Sequence, residues 1–346
     1  MLNKQVTLKD LARKLRLSVS TVSRALRDVQ DINPETRRQV LALAEELNYE
    51  PNLIAKSLVN KQTKVIGVIL PVISSRYFAN ALSGMMEVAD QHGYHIMFCQ
   101  SDESTEKEIF SIKKLVSIRI DGLLISVSKD TREAETFLKV QQKGIPVVFF
   151  DRALENVNAT KVTVNQHEGA FLAVEHLIKS GCTRIAHIAG PKNLAIAAER
   201  LNGYLDALAK YNIAVNEDYI LYCEEFEDNA LEKVKQLFSL KNKPDGIFAV
   251  NDSSAIICMK YLQGLGYNIP GDIAIAGYNN DPTGEVVWPP LTTIMQPSYE
   301  VGKLATQLLI DEIEGKSIEF HEKILNSRLI VRSSTDSSRL NGPSNG

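Results

Sequence analysis

Through most of the chain, short unbroken apolar runs alternate with longer stretches whose apolar positions recur every three or four residues. The runs fall at Val65–Leu70, His95–Cys99, Gly122–Ser126, Pro146–Phe150, Arg184–Ala189, Gly246–Val250 and Ile273–Ala276. Apolar continuity at this length predicts strands buried on both faces of a parallel sheet. Between them, Ala79–His92 and Gly169–Ser180 read as helices, and in the second Ala170, Ala173, Val174, Leu177 and Ile178 share one face. Strand–helix alternation predicts a doubly wound α/β body, long enough here for two sheets with a cleft between them.

The first 50 residues follow a helical pattern only. Leu8, Leu11, Ala12 and Leu15 form one apolar face, and Ser18 is placed to cap a second helix whose buried stripe is Val22, Ala25 and Leu26. Asn33 is placed to cap a third helix, Glu35–Leu47, opened by Pro34. Two short helices joined by a tight turn predict a helix-turn-helix, whose second helix enters a major groove. Val19, Ser20, Thr21, Ser23 and Arg24 lie at the exposed start of that helix. Their hydroxyls and guanidinium suit base edges and phosphates, and Val19 suits a thymine methyl. Periodicity alone fits a generic helical bundle with a solvated basic face equally well.

Charge sharpens the choice. Residues 1–64 carry 12 Lys and Arg against 7 Asp and Glu, whereas the whole 346-residue chain has a net charge of −3. A basic head on an acidic body directs the head alone toward a polyanion. Composition, 44% hydrophobic and 23% charged, is that of a soluble globular protein. No apolar run has the length of a signal peptide or a membrane span, and the four scattered cysteines read as buried thiols of a reducing cytoplasm. The pattern therefore divides into a head at 1–50, a linker at 51–64, a body at 65–332 and a Ser/Asn/Gly-rich tail at 333–346 expected to be disordered.

Thr7–Leu26, T-L-K-D-L-A-R-K-L-R-L-S-V-S-T-V-S-R-A-L, resembles the head of the LacI/GalR family of bacterial transcription regulators. The likeness continues through Asn33-Pro34-Glu35-Thr36-Arg37 and Asn48-Tyr49-Glu50-Pro51-Asn52 to Ala55 and Leu58, and then along the body to about Arg332. It departs at Arg16, where the family usually has Gly at the turn. The resemblance implies a body of the periplasmic-binding-protein type, two lobes joined by three crossovers, with lobe one at roughly 65–163 plus 295–323. It implies a homodimer on a near-palindromic duplex operator, and a DNA-contacting set of Thr7, Leu8, Ser18, Val19, Ser20, Thr21, Ser23, Arg24, Asn33, Asn52, Ala55 and Leu58. Asn52–Leu58 would be a hinge helix and Leu58 a minor-groove wedge; read by itself, Leu58 is a linker leucine packed on the body.

The same resemblance implies an effector site at Tyr77, Phe78, Asp151, Arg200, Asn251 and Asn279. The aromatic pair can stack on a sugar face or fill the core, and Arg200 can hold hydroxyls or pair with Glu199 or Asp206. Asn279 stands where the family often has Asp, and Leu194 and Ile196 stand where purine-binding relatives carry Arg and Thr. These differences favour a sugar or sugar derivative. No cofactor, metal cluster or nucleophile constellation is evident, which argues against an enzyme. Gly315-Lys316-Ser317 reads as a helix end rather than a phosphate loop, and Trp288 as packing at a lobe crossover. A regulator controlled by a phosphorylated partner protein, and a sugar-binding protein with no DNA role, are the rival readings.

Overall fold

The computed structural model describes residues 6–26, 32–49, 62–224, 229–316 and 322–336. The chain divides into two compact units, Met1–Lys64 and Val65–Gly346.

In the first unit, helices Leu8–Leu15, Val19–Leu26 and Pro34–Glu46 pack around Leu11, Ala12, Val22, Ala25, Val40 and Ala44. Side chains satisfy the orphan amides at each helix start. The Thr7 hydroxyl accepts from the Asp10 amide at 3.3 Å while the Asp10 carboxylate accepts from the Thr7 amide at 3.1 Å. Ser18 Oγ accepts from the Thr21 amide at 3.0 Å, and Asn33 Oδ1 from the Glu35 amide at 2.9 Å. The turn between the first two helices passes through Arg16 at φ +54°, ψ +36°. A left-handed conformation is one that glycine adopts without the steric penalty a side chain carries.

The second unit contains twelve named strands among the described residues: β1 (Val65–Leu70), β2 (His95–Gln100), β3 (Gly122–Ile125), β4 (Val147–Phe150), β5 (Thr160–Val164), β6 (Ile185–Ala189), β7 (Ile220–Tyr222), β8 (Gly246–Ala249), β9 (Ala274–Ala276), β10 (Thr293–Met295), β11 (Glu322–Leu325) and β12 (Arg328–Ile330). One lobe is a six-stranded parallel sheet in the order β11-β5-β4-β3-β1-β2. The other is a four-stranded parallel sheet, β7-β6-β8-β9. β10 and β12 form a short antiparallel pair.

The chain crosses between lobes three times. It leaves the first after β5 into helix Gln166–Lys179, which packs against helix Ala195–Lys210. It returns after β10 into helix Ser298–Ile313, which packs on helix Arg76–Gln91, and crosses again between β11 and β12. Glycines allow the closest helix approach, since a Cβ on Gly302 would collide with the Ala81 carbonyl and one on Gly84 with the Tyr299 carbonyl.

Several expectations change. β5, β7, β10, β11 and β12 are additional to the apolar runs: β5 alternates polar and apolar residues, and the others are three or four residues long. β2 is not buried on both faces; it is the edge of its sheet, with Met97 46% and Phe98 49% exposed. The order of the chain does not stop at Arg332. Ser333, Ser334 and Thr335 are buried, and the Ser334 hydroxyl donates to the Ile275 carbonyl and accepts from the Thr292 amide at 2.8 Å. A polar segment can be ordered when its hydroxyls serve as backbone partners. Residues 337–346 lie outside the described residues. Trp288 does not pack at a crossover; its residue is 68% exposed, and its carbonyl accepts from Gln263 Nε2 at 2.7 Å. Gly315 does end a helix, at φ +68° after Ser298–Ile313.

Relief of the Arg16 strain is measurable. Arg16→Gly should slow amide exchange of helix Leu8–Leu15 in the full chain by the equivalent of about 0.5–1 kcal/mol. Unchanged or faster exchange would mean that the arginine side chain stabilises the turn by as much as its conformation costs.

Candidate functional site

All six residues expected to contact an effector line one cavity of about 340 Å³ between the lobes. They reach it from the carboxyl ends of parallel strands, where open α/β sheets leave a crevice. Tyr77 and Phe78 occupy the first turn of the helix after β1, Asp151 follows β4, Asn251 follows β8, and Asn279 follows β9. Arg200 comes from the helix after β6.

Arg200 is 3% exposed and is held by three donated hydrogen bonds. Nε and Nη2 reach Gln166 Oε1 at 3.0 and 2.9 Å, and Nη1 reaches the Val250 carbonyl at 2.5 Å. Its guanidinium carbon lies 3.8 Å from the Tyr278 ring centroid. It pairs with neither Glu199 nor Asp206; the latter bonds His167 Nε2 at 2.8 Å. A buried guanidinium needs such a cage because an uncompensated charge is costly away from water.

Asp151 is buried at φ +61°, a left-handed conformation for a non-glycine residue. Strain of this kind persists where the surroundings dictate it. Ser126 Oγ donates to its carboxylate at 3.2 Å. Burial raises its pKa, opposed by the charges of Arg152 and Arg200. Burial, and then the Asp151 charge, push the Tyr77 hydroxyl well above its ordinary range. Tyr77 and Phe78 belong to the core and also line the cavity. Their rings meet edge-on, 5.3 Å apart at 89°, within the core of the first lobe, and both line the cavity.

The two asparagines are partly committed. Asn251 Oδ1 caps helix Asp252–Gly264 through the Ser254 amide at 2.8 Å, so its carbonyl serves the backbone rather than a hydroxyl. Asn279 Oδ1 accepts from Gln296 Nε2 at 2.7 Å.

Beyond the expected six, Arg152, Leu194, Ile196, Asp252 and Gln296 also line the cavity. Gln166 and Gln296 stand on the first two crossovers and bond each other at 3.0 Å. On the third, the Leu325 carbonyl accepts from the Asn165 amide at 2.9 Å. Leu194 and Ile196 are buried and form an apolar facet of the cavity. Arg152 Nη1 reaches both oxygens of Glu103 at 2.9 Å. Asp252 accepts from Thr293 Oγ1 and the Asp281 amide, both at 2.6 Å, yet its burial lifts its pKa to about 7. Attention to every strand terminus would have found Gln296, had β10 been long enough to recognise.

Two contacts bridge the lobes beside this cavity. Arg132 Nη2 donates to the Asn193 carbonyl at 2.6 Å, and Asn193 Nδ2 donates to Asp130 Oδ1 at 2.7 Å.

In the head, Val19, Ser20 and Arg24 are exposed and Thr21 and Ser23 half-buried at the start of the second helix; Thr7, Ser18 and Asn33 are exposed helix caps, and Leu8 is half-buried. Ser18 Oγ bonds Ser20 Oγ at 2.7 Å and Thr21 Oγ1 at 2.8 Å. Asn52, Ala55 and Leu58 lie outside the described residues.

Removing the Gln166 carbonyl tests the guanidinium cage. Gln166→Leu should destabilise the second unit by about 2–4 kcal/mol in denaturant unfolding, because hydrogen bonds to a buried charge are lost without a substitute. A loss below about 0.5 kcal/mol would mean that Arg200 finds another acceptor.

Residues 7–52 match the profile described as bacterial regulatory proteins, lacI family, and residues 174–335 match a periplasmic binding protein-like domain. The chain is 34% identical to the ribose operon repressor of Halalkalibacterium halodurans over 332 residues, covering 95% of this chain and 97% of that one. It is 33% identical to the HTH-type transcriptional repressor PurR of Vibrio campbellii, covering 94% and 97%. The solved lac repressor dimer bound to operator and the anti-inducer ONPF superposes with a TM-score of 0.85 at 25% identity, covering 96% of this chain and 99% of that one. Head, body and full-length relatives agree, and the chain belongs to the lacI family of bacterial regulatory proteins.

Proposed function

We propose that this chain is a sequence-specific transcriptional repressor whose grip on operator DNA is set by a small polyol, a sugar or sugar derivative, bound between the lobes. The observation that carries the reading is that one chain joins a basic helix-turn-helix to an interlobe cleft on which six ligand-suited side chains converge. In the head, Ser20 and Arg24 are presented at the start of the second helix, the part that meets base edges when such a helix enters a major groove. In the body, the cavity mixes carboxylate, guanidinium and amide groups with an aromatic pair and an aliphatic facet. That combination suits a ring with hydroxyls on its rim and C–H groups on its faces.

A purine is less suited. Leu194 and Ile196 form a dry wall, and neither can hydrogen-bond a base edge.

The repressor acts as a homodimer in this reading. β2 is a sheet edge carrying half-exposed Met97 and Phe98, beside a helix that exposes Met86. An open edge with apolar side chains is a surface that a second copy can cover. Two heads then demand two half-sites related by a dyad. Asn52, Ala55 and Leu58 would lie at the centre of the dyad, with Leu58 as the wedge that bends the duplex. Binding DNA places the protein's work in the cytoplasm, and no helix among the described residues is long and apolar enough to cross a membrane. Relatives matching nearly the whole chain carry repressor names, which leaves the reading without a DNA role unsupported.

Selection of genomic fragments by the purified protein, with and without a panel of sugars and nucleobases, tests the function. The selected sites should be near-palindromes, with affinity that falls steeply with salt and changes at least fivefold with one sugar. Equal affinity for every fragment under all conditions would contradict the reading, and a response to a nucleobase alone would reassign the ligand.

A further inference from the structure

We infer that Asn193 is a latch between the lobes, and that ligand enters and leaves the inner cavity past it, by way of a second, larger cavity. The inference rests on the reading that the inner cavity holds the ligand, and adds to it a control on the rate of exchange.

A cavity of about 770 Å³ lies next to the one that gathers the six candidate residues. Both are lined by Lys129 of the first lobe and by Leu194 and Ile196 of the second, so the two spaces share a wall. Arg132 and Asn193 line the outer cavity and not the inner one. These two residues carry the bridge between the lobes. Arg132 Nη2 donates to the Asn193 carbonyl at 2.6 Å, and Asn193 Nδ2 donates to Asp130 Oδ1 at 2.7 Å. One asparagine of the second lobe is thus gripped, through backbone and side chain, by two residues of a single loop of the first.

The two sides of the bridge are held differently. The loop of the first lobe is braced by Glu108 and Glu103, which accept from the Ser128 and Lys129 amides at 2.6 and 2.9 Å. Arg132 Nη1 donates to the Lys129 and Thr131 carbonyls, both at 2.8 Å, so one nitrogen anchors the guanidinium to its own loop while the other crosses the gap. Asn193 instead lies in a turn closed by the Leu194 amide and the Pro191 carbonyl at 3.2 Å, ahead of a helix that starts without a side-chain cap. Asp130, Arg132 and Asn193 are all exposed. Hydrogen bonds that water can replace shift an equilibrium by roughly two- to tenfold each. The bridge therefore biases the lobes toward the joined arrangement and still parts readily. A contact that touches no ligand and forms without one slows passage in both directions and leaves affinity nearly unchanged.

The test is a double-mutant cycle on the full chain with Asp130→Ala, Asn193→Ala and the pair, and then Arg132→Ala added to the pair. Stopped-flow follows binding and release of whichever of ribose, xylose, glucose, galactose and fructose binds. Each single variant should raise both rates at least about threefold, the pair should do no more than either alone, and the triple variant should raise them again, with Kd held within about twofold. Without ligand, spin labels at Lys139→Cys and Glu232→Cys, with Cys99→Ser and diluted with unlabelled protein, should show a wider spread of interlobe distances in the triple variant. Unchanged rates with an unchanged spread, or single effects that multiply in the pair, would overturn the latch while the ligand reading stands. If none of the five sugars binds, the ligand reading fails, and the distance measurement alone decides whether Asn193 joins the lobes.

Discussion

A buried guanidinium organises the ligand cleft and ties it to the joints between the lobes. Arg200 has almost no access to water, so every donor it carries must find an acceptor inside the protein. Two of its nitrogens converge on Gln166, the first residue of the helix that follows the first crossover. Gln166 donates onward to Gln296 on the second crossover, and Gln296 donates to Asn279 at the cavity wall. A continuous polar chain thus runs from the cavity-lining charge through two of the three joints and back to the pocket. Chains of this kind are satisfied all together or not at all, because each member left unpaired in a low-dielectric interior is costly.

The opposing face of the cleft is equally braced. The loop after β3 is held by Glu108, whose carboxylate accepts from the Ser128 amide at 2.6 Å and from Thr131 Oγ1 at 2.9 Å. Burial raises the Glu108 pKa even with these bonds in place. Glu103 holds the same loop through the Lys129 amide at 2.9 Å and anchors Arg152. The loop so fixed presents Asp130 and Arg132 to Asn193 of the other lobe. Both lips of the cleft are thus held by hydrogen bonds within their own lobe and to each other. In the head, short helices with side-chain caps pack around a small core.

Much of this was legible in the sequence because the central strands of both lobes are continuous apolar runs, and such runs have few other folds. Val65–Leu70 matches its strand residue for residue, and the head's helices start beside Thr7, Ser18 and Asn33 because those side chains can accept from backbone amides. Short or half-polar strands escaped. Thr160–Val164 is recruited by β4 and β11 rather than by its own pattern, and Glu322–Leu325 is an exposed edge. The effector positions were recognisable by family likeness, not by periodicity. Gln166 was invisible either way: a glutamine opening a helix carries no local signature, and its importance arises only from Arg200, 34 residues on. The ordered Ser333-Ser334-Thr335 segment is hidden for a related reason, since composition marks it as tail while its partners, Ile275 and Thr292, are distant in sequence.

In the proposed repressor, cleft and head share one coupling free energy, transmitted through the joints that Arg200 and Gln166 hold. It is tested most directly by a closed thermodynamic cycle on the full chain. Sugar affinity would be measured with the protein free and bound to a selected duplex, and duplex affinity with and without the sugar. Both ratios should be equal and lie between about 5 and 150 in either direction, and Gln166→Leu should bring both toward one. Ratios of one in the wild-type protein, with both ligands bound, would contradict it.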